Sequence, residues 1–413
     1  LFALVITGGL AVAPAMAQAP GGLDMGKAAS PIVPLPLYNS RPESGGFYTA
    51  LEFVMFRMTR NFQNQVVARR GLIDLDGSVQ ADLRGTFITP IAGPPAVFVP
   101  GAPGRAGTFL GSGVQALNVQ DLNSSDLTYA PGLEVTFGWR FADGSAVEFR
   151  GFNTREARYN VGADIIPPNT QVDPQLFDTF LTANVFNFPV EYAGHPHNTA
   201  LGNGGATYGI WNAAQSMTIE MVQRYTQYDL LYRRPVLSSD VSRTHIVMGA
   251  RFSWIWERFL WRTVDADLLG NSDAENVAIY TNIVSNRMYG PVLGCQHELY
   301  LGHGLAIMAQ LDGAANVDVV KERAQYERAD RQTENKKSVT EYTFAPSLNG
   351  ELYLTWYPIE GVQLRLGWNS VMFFNTVDAP TPISFNFGNL AGVWQRQALR
   401  YMDGIKFGAA ISF

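Results

Sequence analysis

The sequence predicts an all-β fold: a transmembrane, antiparallel, up-and-down β-barrel of about ten strands, with long outer loops and short turns at the opposite end. Three observations carry that expectation. Apolar residues alternate with small or polar ones in ten separate segments, the period of a strand with one greasy face. Beyond the first residues, no run of about 20 apolar residues is present to cross a bilayer as a helix, and a closed barrel is the other backbone that can cross. Connections between the segments are alternately long and short.

Residues 1–17 read as a signal peptide clipped at its start. An apolar run from Leu1 to Val12 leads into Ala15-Met16-Ala17, the small-x-small pattern of a cleavage site. Residues 18–45 carry Pro31, Pro34, Pro36 and Pro42 without periodicity, and read as a Pro-rich periplasmic tether. The barrel is expected over residues 46–413. Its strands fall at about 47–60, 130–141, 145–157, 216–234, 243–262, 287–301, 304–321, 340–357, 361–375 and 403–413.

The second strand is the clearest. Leu133, Val135, Phe137, Trp139 and Phe141 share one face, and Glu134, Thr136, Gly138 and Arg140 the other. In the fifth, Ile246, Met248, Phe252, Trp254 and Trp256 oppose Gly249, Arg251, Ser253 and Glu257. In the ninth, Val362, Leu364, Leu366 and Trp368 oppose Gln363, Arg365, Gly367 and Asn369. Gly-x-Trp therefore recurs at Gly138-Trp139 and Gly367-Trp368, a pattern that a common strand type explains without duplication. Residues 142–144 (an Asp-Gly turn), 235–242, 302–303 and 358–360 are the short connections. The intervening ones run about 61–129, 158–215, 263–286, 322–339 and 376–402. An even strand number returns the C-terminus to the tether side. A strand-like Gly107 to Leu110 inside the first loop leaves twelve strands as an alternative.

Aromatics near strand ends, Trp139, Phe141, Tyr232, Trp356, Tyr357 and Phe413 on one side and Trp261 on the other, are expected at the membrane interfaces. The opposite face should line the lumen with Glu134, Arg140, Glu148, Arg150, Asp229, Arg251, Glu257, Glu298, Asp312, Glu351, Arg365 and Lys406. A barrel of about eight strands is nearly filled by side chains, so ten strands leave little room and these charges should pair. Such pairs either plug the barrel or line a narrow polar pore.

Composition limits the functions available. A net charge of −6 gives no support to nucleic-acid binding, and the lone Cys295 excludes an internal disulfide framework. No cofactor or metal site is expected. His195 and His197 flank Pro196 in the second outer loop, yet two histidines without further ligands are a weak zinc signal. Asp265 and Asp267 lack an Asp-x-His partner, and no Gly-x-Ser-x-Gly elbow is present. The basic doublets Arg69-Arg70, Arg233-Arg234 and Lys336-Lys337 are candidates for lipopolysaccharide phosphates. The expected function is a porin-like passive channel or structural surface barrel, narrowed by ion pairs and the first outer loop. The alternatives are a non-conducting adhesin or partner-binding barrel and, further off, an outer-membrane hydrolase.

Two resemblances add to this. The chain ends with apolar Ile405, Phe407, Ala409, Ile411 and Phe413 alternating with Lys406, Gly408, Ala410 and Ser412. Lys406, Gly408, Ile411 and Phe413 resemble the C-terminal signal by which bacterial outer-membrane barrels are recognised for assembly. That resemblance implies barrel-assembly machinery as a partner, outer-membrane lipid and lipopolysaccharide as surroundings, and the outer membrane as location. Three glycine-bearing pieces, Val66 to Leu72 before Asp76-Gly77, Pro131 to Arg140 before Asp143-Gly144, and Asn286 to Gly290 before Leu293-Gly294, resemble poorly characterised outer-membrane barrels of planctomycete-type bacteria. This implies a barrel and no particular activity.

Overall fold

Alternating segments need partners on both edges, and in this chain the last strand supplies the partner of the first. The computed structural model describes residues 46–59, 62, 64–74, 86–88, 97–99, 108–123, 129–164, 176–183, 185, 209–212, 214–239, 241–265, 272–332, 334–359, 361–379, 385–387 and 395–412. Residues 1–17 and 18–45, read as leader and tether, lie outside this set, as do His195, His197 and Phe413.

β1 (Gly46–Met58) opens the wall. The first loop contains β2 (Val66–Asp74), β3 (Thr86–Ile88), β4 (Val97–Val99) and β5 (Thr108–Asn118), then a 3-10 turn at Val119–Asn123. β6 (Ala130–Arg140), β7 (Ala146–Thr154) and β8 (Ala157–Asp164) return to the wall, followed by β9 (Leu176–Thr182) and one helical turn, Gly209–Asn212. The remaining strands are β10 (Ser216–Ser238), β11 (Ser242–Val264), β12 (Val277–Gly302), β13 (Leu305–Ala314), β14 (Val317–Arg328), β15 (Glu334–Phe344), β16 (Ser347–Ile359), β17 (Val362–Asp378) and β18 (Gln395–Ser412).

Three wall strands are each written in two halves. β7 and β8 both pair with β10, β13 and β14 both pair with β12, and β15 and β16 run down their far edges. Counted as continuous staves, the wall has ten antiparallel strands. It closes where β1 meets β18, from Tyr48 opposite Ser412 to Met58 opposite Met402. The breaks are bulges, and prolines accept there. Arg155 N–H donates to the Pro131 carbonyl (2.8 Å) and Ala315 N–H to that of Pro291 (3.1 Å). A proline lacks a ladder donor, so a wall strand tolerates one at such an irregularity.

At the turn end, Ala142-Asp143-Gly144 joins β6 to β7. Gly144 takes φ +81°, where a glycine is unstrained. The Asp143 carboxylate accepts from Ser145 Oγ (2.6 Å) and N–H (2.9 Å), and the hydroxyl bond first holds its pKa below the ordinary carboxylate value.

The wall is apolar outside and polar inside over its turn-end half. Leu51, Leu133, Phe137, Trp139, Leu352, Leu354, Trp356, Leu364, Leu366 and Phe407 are exposed. Their sequence neighbours Glu52, Glu134, Gln363, Glu351 and Lys406 are buried. Toward the loop end that polarity reverses. On β14, Lys321 and Arg323 point out while Val320, Ala324 and Tyr326 are fully buried. The interior there is an apolar plug. Leu117, Leu122, Leu181, Ile210, Trp211 and Phe387 from the loops pack on Met217, Ile219, Phe259, Trp261 and Tyr280 of the wall.

Four expectations need correction. The twelve-strand alternative fails: Thr108 to Leu110 open β5, which pairs with β2 in a separate three-stranded sheet β5-β2-β9, and the wall closes without it. Trp261 is not an interface aromatic. It has the parity of Arg251 and Glu257, so it faces inward, fully buried, with its ring 4.5 Å from that of Trp211. Tyr357 shares the parity of Glu351, and its hydroxyl donates to Glu298 (2.7 Å) instead of reaching headgroups. Finally, several strands extend further toward the loops than the alternation showed. β12 starts at Val277 rather than 287, and β18 at Gln395 rather than 403.

Candidate functional site

Side chains from seven wall strands meet inside the turn-end half. Inward parity brings Glu52 (β1), Glu134 (β6), Glu148 and Arg150 (β7), Arg233 (β10), Glu351 (β16), Arg365 (β17) and Lys406 (β18) into one buried network. Arg150 is its hub. The guanidinium lies 2.8 Å from Glu351 Oε1, 3.3 Å from Glu134 and 3.3 Å from Glu148. Lys406 Nζ bridges the same acids, at 2.6 Å from Glu134 and 3.2 Å from Glu351.

The rim of the network is tied in by aromatic hydroxyls. Tyr48 donates to Glu148 (2.9 Å) and Tyr353 to Glu52 (3.1 Å), while Arg365 reaches Glu52 (3.1 Å) and Arg233 reaches Glu148 (2.8 Å). Four carboxylates, Glu52, Glu134, Glu148 and Glu351, thus face four cations, Arg150, Arg233, Arg365 and Lys406. Charge balances within the cluster, as burial away from water demands.

Both tyrosines lie over inward glycines of the next strand. Tyr48 is the register partner of Gly138, and Tyr353 of Gly367. A Cβ on Gly138 would stand 2.1 Å from the Tyr48 ring, and one on Gly367 2.4 Å from Tyr353. The recurrent Gly-Trp pair therefore has a physical reading: glycine makes room for an inward tyrosine, and the tryptophan beside it points out.

A second set sits on the facing wall. Arg251 forms a fork with Asp229 (2.8 and 3.1 Å) and reaches Asp312 (2.8 Å), all three side chains fully buried. Gln227 and Gln310 donate to the two aspartates at 2.8 Å each. Above both sets lies an apolar layer of Val54, Phe56, Phe152, Tyr225, Ile255, Met288, Phe373 and Met402. A third ionic set follows. Arg400 Nη2 is 2.8 Å from Glu257 Oε2 and 3.7 Å from Asp378, and Gln223 donates to Glu257 (2.8 Å). The apolar plug caps it. From turn end to loop end, the described interior reads ionic, apolar, ionic, apolar.

Below the first network a vestibule of about 630 Å³, open space included, faces the turn end. Tyr48, Arg140, Glu148, Arg233, His245 and Glu298 are among its walls. Arg140 is buried, with its guanidinium 5.5 Å above the Tyr48 ring. His297 faces out, beside Thr244 (2.9 Å). Among the described residues, no group of three or more His, Cys, Asp or Glu side chains could hold a metal.

All twelve charged residues read from the alternation are found on inward positions of this interior, ten of them in the three ionic sets and Arg140 and Glu298 at the vestibule. Missing from that reading were Glu52, Arg233 and Arg400. Glu52 shares the inward parity of Tyr48 and Val54, a signal present in the sequence; Arg400 precedes the expected start of its strand. Of the expected interface aromatics, Trp139, Phe141 and Trp356 are exposed and Tyr232 is half-buried. At the seam, Lys406 belongs to the buried network, Ile411 faces out, and a Cβ on Gly408 would stand 2.1 Å from the Leu51 carbonyl oxygen.

No family model and no curated protein sequence matches the chain. Solved structures to which it is similar include the outer membrane protease OmpT from Escherichia coli, at 8% identity and a TM-score of 0.39, covering 90% of this chain and 97% of that one. A major outer membrane protein from Thermus thermophilus aligns at 9% identity and a TM-score of 0.30, covering 89% and 99%. A Pseudomonas aeruginosa FadL homologue aligns at 7% identity and a TM-score of 0.20, covering 89% and 90%.

Proposed function

We propose that this protein is a structural β-barrel of a bacterial outer membrane, closed to hydrated solutes at rest. The observation that carries this is the filled interior: a charge-balanced buried network at one level and an apolar plug at another. An ion crossing it would have to displace Arg150 from three carboxylates or Lys406 from two, and breaking a buried pair costs about 3–5 kcal/mol. The membrane setting is supported by the exposed apolar belt, which water would not tolerate over so many strands, and by the terminal motif around Lys406 and Gly408. The planctomycete-type pieces agree with that setting and bring no chemistry. No catalytic step is assigned.

Planar-bilayer recording of the purified full chain tests this reading. Insertion without current steps is the expected result, and reproducible single-channel conductance would overturn it in favour of passive transport.

A further inference from the structure

The outer face of β7, β10, β11 and β12 carries an aromatic ladder, and β10, β11, β12 and β14 carry a basic patch directly above it on the loop side. Phe149, Tyr228, Phe252 and Tyr289 form the ladder, with ring centroids 6.2, 6.2 and 4.8 Å apart in turn. Tyr228 and Tyr289 are exposed, and a row of aromatics on the lipid face marks the level where hydrocarbon gives way to headgroups.

One residue pair further up, the register sets Trp254 beside Arg287. The next row sets Arg224 beside Trp256 and then Ser285 beside Lys321, and the row above aligns Arg258, Ile283 and Arg323. Arg224 lies 4.6 Å over the Trp254 ring and 5.2 Å over Trp256; Arg287 lies 5.9 Å over Trp254. Two carboxylates answer this charge: Glu220, 2.7 Å from Arg258, and Glu156, 3.8 Å from Arg224. Among the described residues no carboxylate pairs with Arg287, Lys321 or Arg323. Across the barrel, the corresponding outward cation Arg57 is closed by Asp403 at 2.8 Å.

Five cations on one side of a barrel, at headgroup height and with a two-carboxylate answer, repel one another unless an anion completes them. Adjacent strands are about 4.8 Å apart, so the patch spans roughly 14 Å across four strands. That is wider than one phosphate. Arg224 and Arg287 lie over indole rings, and guanidinium N–H groups are the donors that take phosphate oxygens in pairs. We infer that this face docks an anionic lipid headgroup bearing at least two phosphates, seated with its acyl chains on the Tyr228–Phe252–Tyr289 ladder. The inference rests on the membrane reading above. Of the basic doublets singled out in the sequence, Arg233 is turned into the interior network and Arg70 donates to the Asp164 carbonyl (2.6 Å), while Lys336 on β15 is opposite Gln325, one row beyond Arg323.

The test reconstitutes the full chain in phosphatidylcholine nanodiscs doped with either lipopolysaccharide or phosphatidylglycerol, and counts lipids retained after stripping by native mass spectrometry. Lipopolysaccharide should be enriched several-fold over its bulk fraction, and the exposed triple variant R287Q/K321Q/R323Q should return it to that fraction. Equal retention by wild type and variant would overturn the docking site. Equal retention of singly phosphorylated phosphatidylglycerol would overturn the two-phosphate requirement, and complete displacement by excess inorganic phosphate would show an ion site rather than a lipid site. Heat-modifiable migration reports the barrel itself: its absence in the wild type would overturn the membrane reading and the docking site with it, whereas migration kept by both proteins with equal lipid retention overturns the docking site alone.

Discussion

Glu351 shows how much a single inward residue carries in a lumen this narrow. It faces both Arg150 and Lys406, so Glu351→Gln leaves two cations against Glu134 and the shared Glu148. Loss of about 3–5 kcal/mol is expected, read as a lower urea midpoint for the folded barrel in detergent micelles. Glu351→Gln with Lys406→Met removes one charge of each sign and should be less destabilised than the single change; an equal or larger loss would contradict the balanced-cluster account. Glycine positions make a second prediction. Gly138→Ala places a methyl against Tyr48 and forces the ring off Glu148, at a cost of about 1–3 kcal/mol, whereas Gly313→Ala meets nothing closer than 3.6 Å and should leave the unfolding midpoint unchanged. At this scale the sequence was informative wherever strict parity could be followed. Trp261 and Tyr357 were assigned by their type and position near a strand end, although two-residue counting from Glu257 and Glu351 already put both inside.

Strand cores were readable, and strand ends were not, for a physical reason. Near the turn end apolar side chains face out and ions are inside, so apolar residues mark the outward face. Beyond the apolar belt charged residues face out and the plug is inside, so the same strand carries its apolar residues on the other face. A search for one consistent greasy face stops where the polarity reverses, which is where β12 and β14 were cut short: Tyr280 and Tyr326 point in, Lys321 and Arg323 point out. The loop elements were less legible still, because Leu117, Leu181, Trp211 and Phe387 become a core only once three separate connections converge. That shared construction bears on the expectation that the first outer loop, with the ion pairs, narrows the lumen. Deleting residues 78–125 removes Leu117 and Leu122 but leaves Trp211, Phe387 and every ion pair of the lower networks. The deletion variant is therefore expected to stay silent in planar bilayers, and a rise in conductance would show that the first loop is the barrier.

For the whole molecule, alternation and connection lengths were enough to give a ten-strand ring, because each strand pairs with its neighbour in sequence and a barrel has no other way to satisfy its edges. Which charges meet across the lumen was hidden. Glu134 and Lys406 are 272 residues apart, and only closure of the ring brings them within 2.6 Å. Closure also sets an order of events. Since β1 pairs with β18, the opening strand stays bare along one edge until β18 has been made and delivered. Every nascent or truncated form lacking that last stave has two unsatisfied margins, each a template for pairing with another copy. The slow, long-range step of acquiring this fold is thus its final one, and a chain released without its tail is primed to polymerise rather than to seal.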